Sequence, residues 1–175
     1  GALLEQVGHT LALAVWGNHG PTIVHWQESP LSSPVNLRLG DVMPLLTSAT
    51  GRCFAAHLSD GPGLERTGPM IQDELRRLQA IAHAQSRADV PTTMAQVQAL
   101  FAEVRQRGMA RVVDTLLPGV VGFCAPVFDS DRRMVMGVVA LGSAATFDAD
   151  WGGAVEAPLR AMASQLSADL GYTAP

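Results

Sequence analysis

Two apolar runs separated by a short polar segment form the clearest pattern in the chain. They lie within Gly119–Ser143, which reads GVVGFCAPVFDSDRRMVMGVVALGS. The polar residues at positions 129–132 favour a turn, and apolar runs on both sides of a turn are typical of a β-hairpin. The pattern therefore predicts a hairpin here, and we expect the rest of the fold to be organised around it.

The register of this hairpin decides which side chains share a face. A turn that pairs Phe128 with Arg133 predicts that Gly122 lies opposite Val139, and that Cys124 lies opposite Gly137. Because side chains alternate between the two faces of a strand, one face then carries Gly122, Cys124, Gly137, Val139 and Leu141. Three of these five residues are small, which leaves room for a closely packed helix, the commoner outcome, or for a ligand. A shift of one residue would move all five to the other face.

Shorter periodic segments surround the hairpin. Pro44 is expected to open a helix that runs to about Leu58, because a proline costs little at the first helical position. The Thr93-x-x-Gln96 pair resembles a capping box and predicts a helix that ends at Gly108. Apolar spacing predicts the remaining elements, which are a hairpin of Thr10–Trp16 and Thr22–Trp26, a short strand over 35–39, a helix over 70–84, a strand over 109–113 and a last helix over 155–170.

The order of these elements indicates the fold class. Strand Met134–Leu141 is apolar on both alternations, so both of its faces have to be covered. Pro126, inside the preceding strand, predicts an edge position or a bulge. Two strands, several helices, three further strands and a last helix together predict an α+β fold, in which helices pack on an antiparallel sheet.

Composition narrows the classes of function. The length of 175 residues fits one domain, and the charged fraction of 16% is below the usual value of about 25%, which suggests surface covered by another copy or another domain. The net charge is −4, lysine is absent and the arginines are scattered, so the chain lacks the basic patch of a nucleic-acid binder. No apolar run approaches the length of a membrane span, and we expect a reducing cytoplasm.

Few residues are able to carry chemistry. Cys53 and Cys124 lack CxxC spacing, and the histidines lack metal-ligand spacing, so we expect no metal, no cofactor and no catalytic residue. His57 follows Cys53 by four residues, a spacing that can lower a thiol pKa, although a buried cysteine near a helix-end histidine is commoner. Asp114 either caps the turn before Pro118 or accepts a hydrogen bond from a ligand.

Four segments together resemble the IclR family of transcriptional regulators. Residues 38–52 (RLGDVMPLLTSATGR) are similar to the GxxxPLxxxxxGK segment of that family. Residues 105–110 (RQRGMA) followed by Asp114 resemble RxxGYA…D, residues 119–129 (GVVGFCAPVFD) resemble GVxCIAAPVFD, and residues 170–172 match the usual LGY ending. Each motif alone is soft, but their ordered combination across nearly the whole chain is specific.

The resemblance implies the C-terminal effector-binding domain of such a regulator, with a GAF-like antiparallel sheet flanked by helices on both sides. It implies that residues 1–8 are the end of a linker from a missing N-terminal winged helix-turn-helix domain, and that residues 9–175 form the effector-binding domain. The implied partners are a small-molecule effector and further copies of the chain, as a dimer or a tetramer. DNA would be contacted only through the missing domain, and no membrane is involved.

The family's effector contacts fall on defined positions of this chain. They come from the start of the PL helix, at Ala49 and Thr50, and from the aspartate at Asp114. The cysteine of GVxC and two serines of the following strand also contribute, and these positions are here Gly122, Val139 and Leu141. The candidate effector-binding residues are Val35, Met43, Leu45, Ala49, Thr50, Asp114, Gly122, Cys124, Val139 and Leu141.

The three departures remove a thiol and two hydroxyls, which members that bind small keto acids use as hydrogen-bonding groups. A polar acid of two or three carbons would leave unpaired polar groups buried here, which is costly. We therefore expect a larger, more apolar effector, such as an aromatic acid, a phenol or a neutral ring. Asp114, Thr50 and exposed amides at the start of the Pro44 helix would orient its polar end.

Two alternatives remain open at this stage. The first is a GAF-type cysteine redox enzyme, such as a methionine-sulfoxide reductase, that uses Cys124 or Cys53. It is disfavoured because such chemistry usually needs a resolving thiol nearby, and the two cysteines lie in segments with no evident reason to meet. The second is a domain that only oligomerises, with a pocket filled by its own side chains.

Overall fold

A five-stranded antiparallel sheet carries helices on both of its faces. The computed structural model describes residues 2–30, 37–59, 61–82 and 89–175. The strands are β1 (Thr10–Gly17), β2 (Gly20–Gln27), β3 (Ala110–Val113), β4 (Val120–Phe128) and β5 (Met134–Ser143), in the spatial order β2-β1-β5-β4-β3. The helices are α1 (Ala2–Val7), α2 (Ala49–Leu58), α3 (Pro62–Ala82), α4 (Met94–Arg107) and α5 (Glu156–Asp169). The predicted α+β class is confirmed, and none of the described helices is long and apolar enough to cross a membrane.

The two faces of the sheet belong to two apolar clusters. α2 packs on one face, and α5 packs on β4 and β5 from the other side, where α1 contacts α5. The face under α2 includes Ala12, Ala14, Cys124, Val139 and Leu141, and the face under α5 includes Val121, Phe123, Ala125, Val138 and Ala140. Strand β5 is therefore covered on both faces, as its doubly apolar pattern predicts.

The central hairpin is present, but its predicted register is wrong by two residues. The observed pairs include Gly122 with Leu141 and Cys124 with Val139, instead of Gly122 with Val139 and Cys124 with Gly137. Phe128 pairs with Met134 and not with Arg133, and a bulge between Val127 and Phe128 adds the second residue of the shift. Because the shift is even, alternation is preserved, and the five residues of the predicted patch still share one face.

Pro126 lies within a strand that has neighbours on both sides. β4 runs between β5 and β3, so it is not an edge strand of the sheet. However, β3 pairs with β4 only from Val121 to Cys124, and Pro126 lies beyond that pairing, one residue before the bulge. The local expectation of an edge or a bulge is therefore met at this end of β4.

Two predicted helix starts are wrong. The helix expected from Pro44 begins at Ala49, with Ser48 as its N-cap. α3 begins at Pro62 and not near Met70, and Pro69 lies inside it. By contrast, the Thr93 cap and the left-handed Gly108 at the end of α4 are confirmed.

The segment before Pro44 lies along the outer edge of β2. Ile23 donates its backbone N–H to the Asp41 carbonyl, and its own carbonyl accepts from Gly40. Thr22 and Val42 form an isolated bridge. Residues 35 and 36 of the predicted strand over 35–39, and with them Val35, lie outside the described residues. Residues 37–39 are described and form no strand, so that part of the prediction is wrong.

Candidate functional site

The loop that leads into α2, residues 44–48, packs directly on the first turn of that helix. We refer to it as the Pro44 loop. A Cβ atom at Gly51 would lie 1.8 Å from the Pro44 carbonyl oxygen and 2.6 Å from Leu45 Cα. Only a residue without a side chain permits this approach, which gives a physical reason for the glycine of the PLxxxxxG motif.

Side chains on both sides of the loop fix its backbone. The Ser48 hydroxyl accepts the Gly51 amide at 2.9 Å and donates to the Pro44 carbonyl at 2.6 Å. It therefore caps α2 and at the same time joins the two ends of the Pro44 loop. Arg52 is 4% exposed, and its Nε donates to the Leu46 carbonyl at 2.8 Å. Burial lowers the Arg52 pKa from its usual value, opposed by Asp89, Glu103 and Glu74, and the buried guanidinium is held by carbonyls of two segments.

The amides of the Pro44 loop itself are already occupied. Glu74 of α3 accepts the Leu45 amide at 2.8 Å and the Leu46 amide at 2.7 Å, one with each carboxylate oxygen. The expectation that amides just after Pro44 are exposed for a ligand is therefore wrong. Sequence reasoning also missed Glu74, although it interrupts the apolar stripe of Ile71, Leu75 and Leu78, and a charge on such a stripe was the available signal.

The first turn of α2 contains unpaired polar groups instead. Ala49 and Thr50 are 3% and 2% exposed. Within the described residues, no acceptor is bonded to the backbone amide of either residue. The first amides of a helix have no acceptor within the helix, and buried polar groups normally find a partner. Ala49 and Thr50 are two of the positions to which the resemblance assigns effector contacts.

The sheet face beneath α2 is apolar at the candidate positions. Val139 and Leu141 are buried, and Leu141 Cδ2 lies 2.9 Å from where a Gly122 Cβ would be. The side chain of Leu141 therefore covers the space that a larger residue at position 122 would use. Further along, the Cys124 sulfur and the Phe54 ring fill the space beside Gly137, so helix packing accounts for that half of the small-residue patch.

Asp114 has a structural task in the β3–β4 connection. Its φ of +58° is unusual for a residue with a side chain, and its Oδ1 accepts the Gly119 amide at 2.6 Å. Next to it, the Thr115 hydroxyl donates to the Asp89 carboxylate, and the Asp89 carbonyl accepts from Arg52 at 2.9 Å. This chain of hydrogen bonds ties the exposed Asp114 turn to the start of α2.

The two cysteines are neighbours, contrary to expectation. Cys53 of α2 and Cys124 of β4 are both free and fully buried. Burial raises the pKa of Cys53 well above its usual range, and the adjacent Cys124 thiol raises it further. His57 does not activate this thiol, because its Nδ1 is 2.8 Å from the Cys53 carbonyl oxygen. Such an environment keeps a cysteine protonated and unreactive.

Most of the candidate residues are brought together. Met43, Leu45, Ala49, Cys124, Val139 and Leu141 belong to one apolar cluster. Thr50 follows Ala49 on α2, and Gly122 pairs with Leu141. Asp114 lies at the edge of this group on an exposed turn, and Val35 is outside the described residues. Among the described ranges, no group of three metal-ligating side chains occurs.

Comparison with known proteins gives a consistent result. A family model described as "Bacterial transcriptional regulator IclR C-terminal" matches residues 1–168. Among curated proteins, no sequence matches the chain. Three solved structures are similar, namely HmgR of Pseudomonas aeruginosa, IclR of Thermotoga maritima and the repressor BlcR of Agobacterium tumefaciens.

The similarity to HmgR is 31% in sequence, with a TM-score of 0.81, over 98% of this chain and 63% of HmgR. For the Thermotoga IclR the values are 21% identity, a TM-score of 0.75, and coverage of 98% and 65%. For BlcR they are 20%, 0.70, 98% and 63%. The chain thus spans less than two thirds of each of these proteins. It belongs to the IclR family of bacterial transcriptional regulators, and it corresponds to the C-terminal, effector-binding regulatory domain.

Proposed function

We propose that this domain binds a small, largely apolar or aromatic metabolite, and that binding modulates DNA binding by a winged helix-turn-helix domain N-terminal to it. The observation that carries the proposal is the start of α2, where the backbone amides of Ala49 and Thr50 lack acceptors among the described residues while both residues are buried. Two amide donors without acceptors, at the positive end of a helix dipole and beside the Thr50 hydroxyl, fit the polar end of a ligand.

The apolar half of the proposed site is the adjoining sheet face. Val139 and Leu141 stand where members that bind keto acids carry serines, and Gly122 stands where they carry a cysteine. These side chains offer no hydrogen bond, so a ligand gains there by burying apolar surface. An aromatic acid, a phenol or a neutral ring satisfies both halves, whereas pyruvate or glyoxylate would leave most of its polar groups unpaired.

The role of Asp114 is adjusted within this proposal. Its Oδ1 holds the Gly119 amide, which leaves Oδ2 for a ligand hydroxyl. A carboxylate ligand close to Asp114 would be repelled unless one of the two groups is protonated. We therefore assign the carboxylate or phenolate end of the effector to Ala49 and Thr50, and a further hydroxyl to Asp114.

Thermal unfolding in the presence of candidate ligands tests this proposal. A ligand that binds only the folded state raises the unfolding midpoint by mass action, so neither the promoter nor the DNA-binding domain is needed. The panel sets benzoates, phenols and their ring-cleavage products beside pyruvate and glyoxylate. We expect a shift with aromatic compounds and none with the keto acids, and a shift with the keto acids alone would refute the apolar site.

The variant Thr50→Val tests the polar end of the site. It removes the hydroxyl with little change of shape, and the loss of one hydrogen bond of about 1 kcal/mol weakens an active aromatic ligand by about fivefold. Thr47→Val is the matched control, because Thr47 lies on the Pro44 loop outside α2. Equal losses in the two variants would contradict the assignment to Thr50.

We also propose that the domain is not an enzyme. Cys53 and Cys124 do meet, which removes the geometric objection to thiol chemistry, but the raised pKa of Cys53 opposes formation of the reactive thiolate. The family and the similar structures are transcriptional regulators. Reduction of methionine sulfoxide by the unaltered chain that disappears in the Cys53→Ala, Cys124→Ala double variant would revive the redox alternative.

Self-association and a cytoplasmic location complete the proposal. Val24, Leu39 and Val42 are exposed to 47%, 66% and 45%, and all three lie at the outer edge of β2, where the 40–43 segment pairs with it. Exposed apolar residues grouped in this way are typical of contacts between copies. Sedimentation of Leu39→Glu beside the unaltered chain tests this surface, and an unchanged oligomer would exclude it.

A further inference from the structure

Glu74 of α3 stands where the packing of that helix favours an apolar side chain. It is three residues after Ile71 and four before Leu78, so it lies on the inner stripe of the helix. Burial raises its pKa, against the opposing effect of the Leu46 and Leu45 amides and of Arg77 and Arg52. Glu74 is half-buried, and a carboxylate that is partly withdrawn from water is costly unless its hydrogen bonds compensate, so the packing of α3 does not by itself explain this residue.

The hydrogen bonds of Glu74 are directed at one short piece of backbone. Its two oxygens accept the consecutive amides of Leu45 and Leu46 at 2.8 and 2.7 Å. Two neighbouring amides that point to one anion form an anion-binding nest, and bonds to a charged acceptor are the stronger class. The Leu46 carbonyl accepts from Arg52 at 2.8 Å, so opposite charges hold the two ends of the Leu46 residue.

The loop held in this way is the support of the proposed effector site. Leu45 is one of the candidate contact residues, and Ser48, at the end of the same loop, caps α2. The Pro44 carbonyl rests against Gly51, so the loop cannot move without disturbing the first turn of α2. We propose that Glu74 is a positioning residue, whose carboxylate fixes the Pro44 loop and thereby sets the geometry of the donors at Ala49 and Thr50. This inference rests on the proposed function in locating the effector there.

The inference gives α3 a role in the response to the effector. α3 has no candidate contact residue of its own, yet through Glu74 it is bonded to the loop beside the site. A change at the start of α2 on ligand binding therefore alters the Glu74 bonds, and a displacement of α3 alters the site. The coupling between α3 and the site depends on the hydrogen bonds of one side chain, so substitutions of Glu74 can test it.

Residue-resolved amide hydrogen exchange of the whole chain tests the positioning role. Glu74→Gln keeps one acceptor oxygen and replaces the other by a donor. Glu74→Leu continues the apolar stripe of α3, so it serves as a second variant if Glu74→Gln folds poorly. Asp73→Asn is the matched control, because Asp73 is the neighbour of Glu74 on α3 but pairs with Arg76 and Arg77 on the surface.

We expect protection of the Leu45 and Leu46 amides to fall at least tenfold in both Glu74 variants, and to stay unchanged in Asp73→Asn. The Met43 amide, which donates to Pro21, serves as the internal reference. Unchanged exchange at Leu45 and Leu46 would overturn the inference. A fall of equal size at all amides would also overturn it, since it would show a general loss of stability without a specific effect on the loop.

A ligand measurement separates this inference from the proposed function. The probe is the benzoate or phenol that gives the largest midpoint shift with the unaltered chain. We expect that shift to be at least halved in both Glu74 variants and kept in Asp73→Asn, and a full shift in the Glu74 variants would overturn the link to the site. If no aromatic compound shifts the unaltered chain, the proposed ligand class fails, and the exchange result alone decides whether Glu74 positions the loop.

Discussion

The replacement Gly51→Ala is the sharpest test of how the effector site is built. The added Cβ would lie 1.8 Å from the Pro44 carbonyl oxygen and 2.6 Å from both Leu45 Cα and the Pro44 carbonyl carbon, whereas ordinary contacts begin near 3.4 Å. All three neighbours are backbone atoms, so no side chain can rotate away. The Pro44 loop and α2 would have to separate by roughly 1.5 Å, because shorter contacts are strongly repulsive.

The magnitude follows from three opposing effects. Alanine is the better helix former and contributes about 1 kcal/mol in favour of the variant. Overpacking of a tight contact costs about 1–3 kcal/mol. Separation of the loop also strains the bonds from Leu45 and Leu46 to Glu74, and hydrogen bonds to charged groups contribute about 1.5–3 kcal/mol each. We expect a net loss of about 3 kcal/mol, which lowers the midpoint of a domain of this size by roughly 6–12 °C.

Urea denaturation of the two proteins measures this difference, with Gly68→Ala as the control. Gly68 lies in α3, and the nearest atom to its added Cβ is Leu64 Cδ1 at 3.8 Å, an ordinary contact. Alanine at position 68 has the better helix propensity, but a residue with a side chain before Pro69 is restricted in its backbone conformation. The free energy of unfolding of the control should therefore stay within about 1 kcal/mol of that of the unaltered chain. A Gly51→Ala variant as stable as that control would refute the packing argument.

The remaining predictions concern ionisable groups. Because both thiols are fully buried, neither Cys53 nor Cys124 should react with a thiol reagent at neutral pH until the chain is unfolded, and the raised pKa of Cys53 further opposes its reaction. Rapid labelling of the native protein would contradict the buried assignment. Burial also raises the pKa of Glu74 in the fold above its unfolded value of about 4.3, so the folded chain binds the Glu74 proton more tightly than the unfolded chain. The stabilisation that comes from this proton binding is complete below that pH and is lost as pH rises through the folded pKa, while the two amide bonds to the carboxylate remain. Urea titrations between pH 4 and 8 should therefore show the unaltered chain losing stability relative to Glu74→Gln as pH rises, and a constant difference would refute the shift.

Local pattern was sufficient for much of the fold. The apolar runs of the first and central hairpins identified four of the five strands, because strand alternation and turn chemistry are properties of neighbouring residues. The Thr93 cap and Gly108 likewise located both ends of α4, since capping depends on residues three or four positions apart. Even with the wrong register, the face carrying Gly122, Val139 and Leu141 was correctly grouped, because an error of two residues preserves alternation.

Features that depend on contacts between distant residues were decided by the tertiary structure. The bulge before Phe128 and the start of α2 at Ala49 depend on how the hairpin and the Pro44 loop fit their neighbours, which propensity does not contain. The meeting of Cys53 with Cys124 depends on the docking of α2 on β4, and the capture of the Leu45 amide depends on a carboxylate 29 residues away. The sequence by itself determined which elements form and which face is apolar, whereas only the packing of α2 and α3 on one another and on the sheet determined which polar groups remain unpaired, because hydrogen-bond partners distant in the chain are assigned by the fold.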